Sequence, residues 1–327
     1  MSVPYSVLDL VPVPVGSRPA DSFRRSLELA QQAEAWGYHR YWLAEHHNMP
    51  GIASAATSVL IGHLAAGTRT LRLGAGGIML SNHSPLVIAE QFGTLESLYP
   101  GRIDLGLGRA PGSDQRTMHA LRRQRGGDQD DFPADVAELM AYFGDEPGPV
   151  RAVPGFGLQL PVWLLGSSLY SAQLAAAMGL PFGFASHFAP ALLLQALEVY
   201  RSQYRPSARW PKPYAVVCVN LIAAESTAEA RFLLSTVQQQ FLRLYRGDAG
   251  ELPAPVEELT GWAPHELMAM EKTLSRSLVG DKAAIRHGIQ ALLAETQADE
   301  LMFNGPIFDH QARLRSFALG AEIMRSL

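Results

Sequence analysis

Eight apolar, β-rich runs alternate with eight helical patterns along this chain, and that alternation restricts the fold more than any other feature. The strand-like runs lie near 4–11, 38–44, 70–79, 102–107, 161–166, 181–186, 213–223 and 299–304. Helical patterns fall near 21–36, 52–67, 85–99, 130–143, 169–179, 190–204, 226–246 and 281–296, and a last helix begins at about 309. In the first helix Phe23, Leu27, Ala30, Ala33 and Trp36 recur at helical spacing. Asp21 is its expected N-cap and Gly37 its expected stop, and Asp281 is the expected N-cap before 282–296. Strict alternation predicts a parallel sheet with helices outside. Eight units in 327 residues fit a closed (β/α)8 TIM barrel better than an open sheet. Nothing interrupts the alternation, so residues 1–327 are expected to form a single domain. Two connections are long, from Arg109 to about Leu160 after strand 4 and from about Gly247 to Gly280 after strand 7. Connections of that length in a compact domain often serve as lids.

Composition narrows the possible partners. The chain is 47% hydrophobic and 18% charged, enough for a large core. A net charge of −4 gives no global basic field to attract nucleic acid or an anionic membrane. The one basic cluster, Arg122-Arg123-Gln124-Arg125, is short and reads as a solvated loop. Cys218 is the only cysteine. It has no partner for an intrachain disulfide and lies in an apolar run, so it reads as a core residue. No apolar run approaches the roughly 18–20 residues that span a bilayer, and the N-terminus has no secretory pattern. The expected location is the cytoplasm.

A barrel of this kind works at the carboxyl ends of its strands, so the residues just beyond each strand matter most. Strand 2 runs into Trp42-Leu43-Ala44-Glu45-His46-His47, an apolar run that stops at three adjacent ionisable groups. Burying such groups unpaired costs about 1–3 kcal/mol each, so the strand is expected to open onto a ligand cavity. Strand 3 contains Gly74-Ala75-Gly76-Gly77, which marks either a bulge or a shelf where backbone meets a flat ring. Strand 4 ends in Gly106-Leu107-Gly108-Arg109-Ala110. Strand 5 ends in Gly166-Ser167-Ser168 and enters a helix, which is either an ordinary N-cap or an anion cradle. Arg109 at the neighbouring strand end could meet the same anion through its guanidinium. Strand 6 ends in Ser186-His187, strand 7 carries Asn220 and strand 8 ends in Asn304-Gly305.

Competing chemistries find less support. Adjacent strand residues point apart, and no H-x-H, C-x-x-C or H-E-x-x-H spacing occurs, so no metal site is expected. The glycines around Arg109 do not match a dinucleotide fingerprint, because the third is displaced and Pro111 disturbs the helix start. No G-x-S-x-G is present. The lysines Lys212, Lys272 and Lys282 sit at no predicted strand end, which argues against Schiff-base chemistry.

In this order and spacing, Trp42 to His47, Gly74 to Leu80, Gly101 to Arg109 and Leu165-Gly166-Ser167-Ser168 resemble the bacterial luciferase-like monooxygenases, in their single-gene, non-luminescent branch. The similarity runs on to Ala298-Asp299-Glu300-Leu301-Met302 and Asp309-His310. The resemblance implies a TIM barrel that takes externally reduced FMN (FMNH2) from a separate flavin reductase. Oxygen then adds to give a peroxyflavin that oxidises a small organic substrate, the chemistry belonging to the cofactor and its orientation to the protein. It implies that His46 is catalytic, with Glu45 and His47 beside it. It also implies that Gly76-Gly77 is a cis peptide beneath the flavin ring, and that Arg109, Ser168 and Ser171 hold the phosphate, with Ala110 and Ser167 alongside. A second phosphate arginine would fall among Arg122, Arg123 and Arg125. The luminescent subunits carry a carboxylate where this chain has Ser167 and an aromatic near His187, so light emission and long-chain aldehyde use are not implied. Relatives that use the deazaflavin F420 for hydride transfer offer a second reading, and a non-catalytic flavin-binding protein a third. The family usually forms homodimers through barrel helices, and helix 52–67 is the candidate here.

Overall fold

The computed structural model describes residues 3–109, 115–121, 131–146 and 148–327. Eight parallel strands close on themselves: β1 (Tyr5–Asp9), β2 (Arg40–Leu43), β3 (Arg72–Met79), β4 (Ile103–Gly108), β5 (Val162–Gly166), β6 (Phe182–Ala185), β7 (Ala215–Ala223) and β9 (Glu300–Asn304). Each pairs with the next, and β9 joins β7 to β1. The expected (β/α)8 barrel is therefore present, and all eight expected strands lie in its wall. A ninth strand, β8 (Leu278–Gly280), lies against the far end of β7 with Leu221 opposite Leu278. Three residues are too few to show a period, so no pattern in the sequence marks it.

The connecting helices are α1 (Pro19–Ala35), α2 (Thr57–Ala66), α3 (Pro85–Leu98), α4 (Gln115–Leu121), α5 (Phe132–Tyr142), α6 (Leu169–Met178), α7 (Leu193–Ser202), α8 (Thr227–Tyr245), α9 (Pro264–Thr273), α10 (Lys282–Thr296) and α11 (His310–Arg325). Both long connections contain unforeseen helix, α4 in the first and α9 in the second. The N-cap assigned to Asp21 is corrected. Pro19, with its fixed φ and no N–H to lose, starts α1 two residues earlier. Asp21 instead accepts the Arg18 N–H through Oδ2 at 3.1 Å, the reciprocal half of a capping box. Gly37 does end this helix, at φ +81°, and Asp281 does cap α10 by accepting the Ala284 N–H.

Two cores result from the alternation of strand side chains. Outward residues such as Val7, Tyr41, Leu73, Leu105, Phe182 and Val217 pack beneath the helices. Inward residues Leu8, Trp42, Trp163, Val216, Cys218 and Met302 fill the barrel, so Cys218 is a core residue as expected. Towards the amino ends of the strands the filling turns ionic. Arg40 bonds Asp104 Oδ2 through Nη1 at 2.8 Å and Glu300 through Nε at 3.0 Å. Its guanidinium carbon lies 4.6 Å above the Trp163 ring centroid. Arg72 shares Asp104, while Tyr214 and Ser6 donate to Glu300. Two cations face two carboxylates with hydroxyls on the remaining lone pairs, the arrangement that burying charge requires. This floor plugs the amino end of the barrel, and the carboxyl ends of the strands form the opposite mouth.

Candidate active site

Beyond Leu43 the chain leaves the wall of the barrel and its polar groups take up fixed positions. Glu45, 1% exposed, bonds to the backbone of the next strand at two points. Its N–H donates to Gly77 O at 3.3 Å, and its Oε2 accepts the Met79 N–H at 3.0 Å. Its Oε1 meets Nε2 of His47 at 2.6 Å and Nε2 of His83 at 2.8 Å. Burial alone would raise the Glu45 carboxyl pKa. Hydrogen bonds from His83, His47 and Met79, with the His83 charge, outweigh it and hold the carboxyl below its usual range.

The motif Glu45-His46-His47 therefore divides. Glu45 and His47 bond each other beside His83 in the loop after β3, and His46 does not join that cluster. His46 keeps its Nδ1 enclosed and, among the described residues, without a hydrogen-bond partner. Burial lowers its pKa, against the pull of the Ala44 carbonyl and the Glu45 charge.

His83 is the residue that sequence reasoning missed. It follows the short 3₁₀ turn Leu80–Asn82, and nothing in its own spacing marks it. Following strand 3 past its glycines into the next loop would have found it. Its arrival places ligand-type atoms of Glu45, His47 and His83 within 4.8 Å of one another, a grouping that motif spacing could not reveal. The carboxylate accepts from both imidazoles, so the cluster is satisfied internally.

β3 is irregular at its glycines. The register with β4 shifts between Ala75 and Ile78, and the Gly76–Gly77 peptide is cis. A Cβ at Gly77 would stand 2.7 Å from the Gly106 carbonyl oxygen, and one at Gly76 would stand 2.8 Å from Leu8 Cδ1. The bulge reading of these glycines therefore holds, and neighbouring protein atoms pack too close to both for a side chain.

At the end of β5, Ser168 caps α6, and its Oγ accepts the Ser171 N–H at a long 3.4 Å. Ser171 Oγ donates to Ser168 O at 2.9 Å. Arg109 reaches this helix start from the end of β4, its guanidinium carbon 4.4 Å from the Tyr170 ring centroid in the first turn. Its carbonyl accepts from Ser81 Oγ at 3.0 Å. Arg109 thus meets, at Tyr170, the helix turn that Ser168 caps and that contains Ser171, with Ser167 just before the cap. The expected contributions of Ala110, Arg122, Arg123 and Arg125 lie outside the described residues.

A barrel whose mouth gathers an arginine, a serine-capped helix start, side-chain-free backbone and histidines belongs to a recognisable class. The profile of the luciferase-like monooxygenases matches residues 3–300, and the chain belongs to that family. It is 64% identical over 329 residues to a luciferase-like monooxygenase of Escherichia coli (strain K12), covering 100% of this chain and 98% of that protein. The crystal structure of apo-MsnO8 superposes with a TM-score of 0.88 at 35% identity, covering 99% of this chain and 98% of the other. More distant structures share the fold alone. The oxygenating constituent of 3,6-diketocamphane monooxygenase from Pseudomonas putida, in complex with FMN, matches at TM-score 0.71 and 18% identity over 98% of this chain and 97% of its own. An F420-dependent secondary alcohol dehydrogenase matches at 0.65 and 14% over 97% and 98%. Among the described residues no helix is long and apolar enough to cross a membrane.

Proposed function

We propose that this protein is an FMN-dependent monooxygenase that binds reduced FMN, delivered by a separate reductase, at the mouth of the barrel and uses O2 to oxidise a small organic substrate. One observation carries the reading: Arg109 stacks on Tyr170 in the serine-capped first turn of α6, beside the strand that carries no side chains at Gly76 and Gly77. The residues fit the cofactor. The α6 N-terminus, the Ser168 and Ser171 hydroxyls and the Arg109 guanidinium suit a phosphate dianion, and backbone without side chains lets a flat ring approach.

Reduced flavin, when bound, supplies the electrons that activate O2. The chain's own part is to fix the phosphate, to exclude water, and to exchange a proton at the His46 imidazole. Burial keeps the His46 imidazole neutral near pH 7 and able to accept that proton. Glu45, braced by His47, acts through structure, tying the loop after β2 to the end of β3 at Met79 and to His83 in the loop beyond.

The test is a side-by-side titration of FMN, FMNH2 and F420 into the purified protein. The reading expects FMNH2 to bind at micromolar concentrations or below. Binding of all three no tighter than millimolar rejects a flavin site, and preference for F420 would replace oxygenation with hydride transfer.

A further inference from the structure

Glu45, His47 and His83 are the one group among the described residues in which three metal-ligating side chains each bring a donor atom within 4.8 Å of the others. The expectation of no metal site rested on spacing along the chain, and spacing cannot detect this group. Its third member arrives from a loop 38 residues beyond Glu45.

Both imidazoles aim the same atom at the same carboxylate oxygen. Glu45 Oε1 stands 2.6 Å from Nε2 of His47 and 2.8 Å from Nε2 of His83. The carboxylate is held in that orientation from its other oxygen, where Oε2 accepts the Met79 N–H at 3.0 Å. Outer contacts of this kind fix the direction of a ligating carboxylate. The Glu45 side chain is 1% exposed, whereas those of His47 and His83 are 15% and 27% exposed. The anion is thus shielded by protein while both rings keep some surface in solvent. Hydrogen bonds within the group hold the three donors assembled, so a ligand shared by all three need not order a loop first.

We propose that these side chains form a binding site for a divalent transition-metal ion of the zinc type, with Glu45 Oε1 and the Nε2 atoms of His47 and His83 as ligands. As ligands, two neutral imidazoles and one carboxylate carry a single negative charge and leave a further position for water or an anion, the donor set of a three-ligand zinc site. Tetrahedral zinc at about 2.0–2.2 Å from each donor sets the donors about 3.3 Å apart. Each Nε2 therefore has to retreat from Oε1 by only about half an ångström, a shift that partly exposed rings supply by small rotations. Coordination takes the lone pair at Nε2, so each neutral ring then carries its proton at Nδ1. Magnesium and calcium favour oxygen donors, and the two imidazoles select against them. Because residues 45 and 47 are both ligands, the bound ion grips the chain on either side of His46 and joins the loop after β2 to the loop after β3. The site does not rest on the flavin reading.

The experiment titrates Zn²⁺ into the full-length chain, stripped of metal with a chelator and labelled with ¹⁵N at histidine. One ion per chain should bind at micromolar concentrations or below and move the Nε2 resonances of two histidines. His47→Gln and His83→Gln should each remove one of those two signals and weaken Zn²⁺ by about tenfold or more, since loss of an outer partner alone typically costs that much. The glutamine amide can still donate to Glu45 but is a poor zinc ligand, so these variants keep the hydrogen bond and remove only the metal donor. Millimolar Mg²⁺ or Ca²⁺ should not compete. The site is overturned if Zn²⁺ binds no tighter than millimolar, if both glutamine variants bind as wild type does, which marks capture by other histidines, or if Mg²⁺ displaces Zn²⁺. Thermal unfolding checks that each variant is folded; where one is not, the wild-type titration and the other variant decide by the same criteria.

Discussion

At the scale of single residues, two groups divide the work of the mouth, and each can be tested alone. Arg109 is offered to a phosphate and to nothing else in the flavin reading. Arg109→Ala should therefore weaken FMN by one charge-assisted contact, about 1.5–3 kcal/mol or some 10–150-fold, and leave riboflavin affinity unchanged. Parallel loss for both ligands, measured by fluorescence quenching, would remove Arg109 from the phosphate. His46 should work as a neutral base. Its pKa lies below the ordinary 6.5, so the neutral fraction rises with pH through a value under 6.5, and the acid limb of turnover lies there, with a plateau above. His46→Gln should keep FMN affinity and abolish that limb; an unchanged pH profile would exclude the role. The same depression has a stability sign. An unfolded histidine protonates first as pH falls below 6.5, so the contribution of a buried neutral ring is complete above that pH and is lost below it.

At the scale of elements, the glycines of β3 make a graded prediction. A methyl at Gly77 meets the backbone oxygen of Gly106, which cannot move without opening the β3–β4 ladder. A methyl at Gly76 first meets the mobile end of Leu8, then Trp42 Cβ at 3.0 Å. Gly77→Ala should therefore cost more than Gly76→Ala, both within the roughly 1–3 kcal/mol of overpacking. Urea unfolding ranks them, and the reverse order would contradict the packing described. Elements are also where the sequence is most informative. Apolar runs of strand length separated by helical periods announce every wall strand and nearly every helix, because each has to bury a continuous face. β8 escapes notice because it has three residues, and α9 because Met270 is its one buried apolar side chain. The site is legible where its parts are contiguous, as in Glu45-His46-His47 or Gly166-Ser167-Ser168. The roles within the first motif are not, because the Glu45 carboxylate is fixed by Met79 and His83, more than thirty residues away.

At the scale of the molecule, the ionic floor and the polar mouth are separate devices, and a substitution should distinguish them. Arg40→Met leaves Asp104 and Glu300 buried with less countercharge, a change of the kind that costs about 3–5 kcal/mol. Thermal unfolding should register that loss, while FMN affinity in the folded fraction stays within about threefold. A stable variant with impaired flavin binding would mean that floor and mouth are coupled. With Arg40, Asp104, Glu300 and Trp163 packed across the interior, a molecule that enters the barrel cannot pass through it. Among the described residues that end is closed, so a ligand that lodges deepest from the other end must arrive first and depart last. Steady-state kinetics with a bulky substrate would then follow a compulsory sequence, with an excess of that substrate slowing turnover by closing the door on its predecessor.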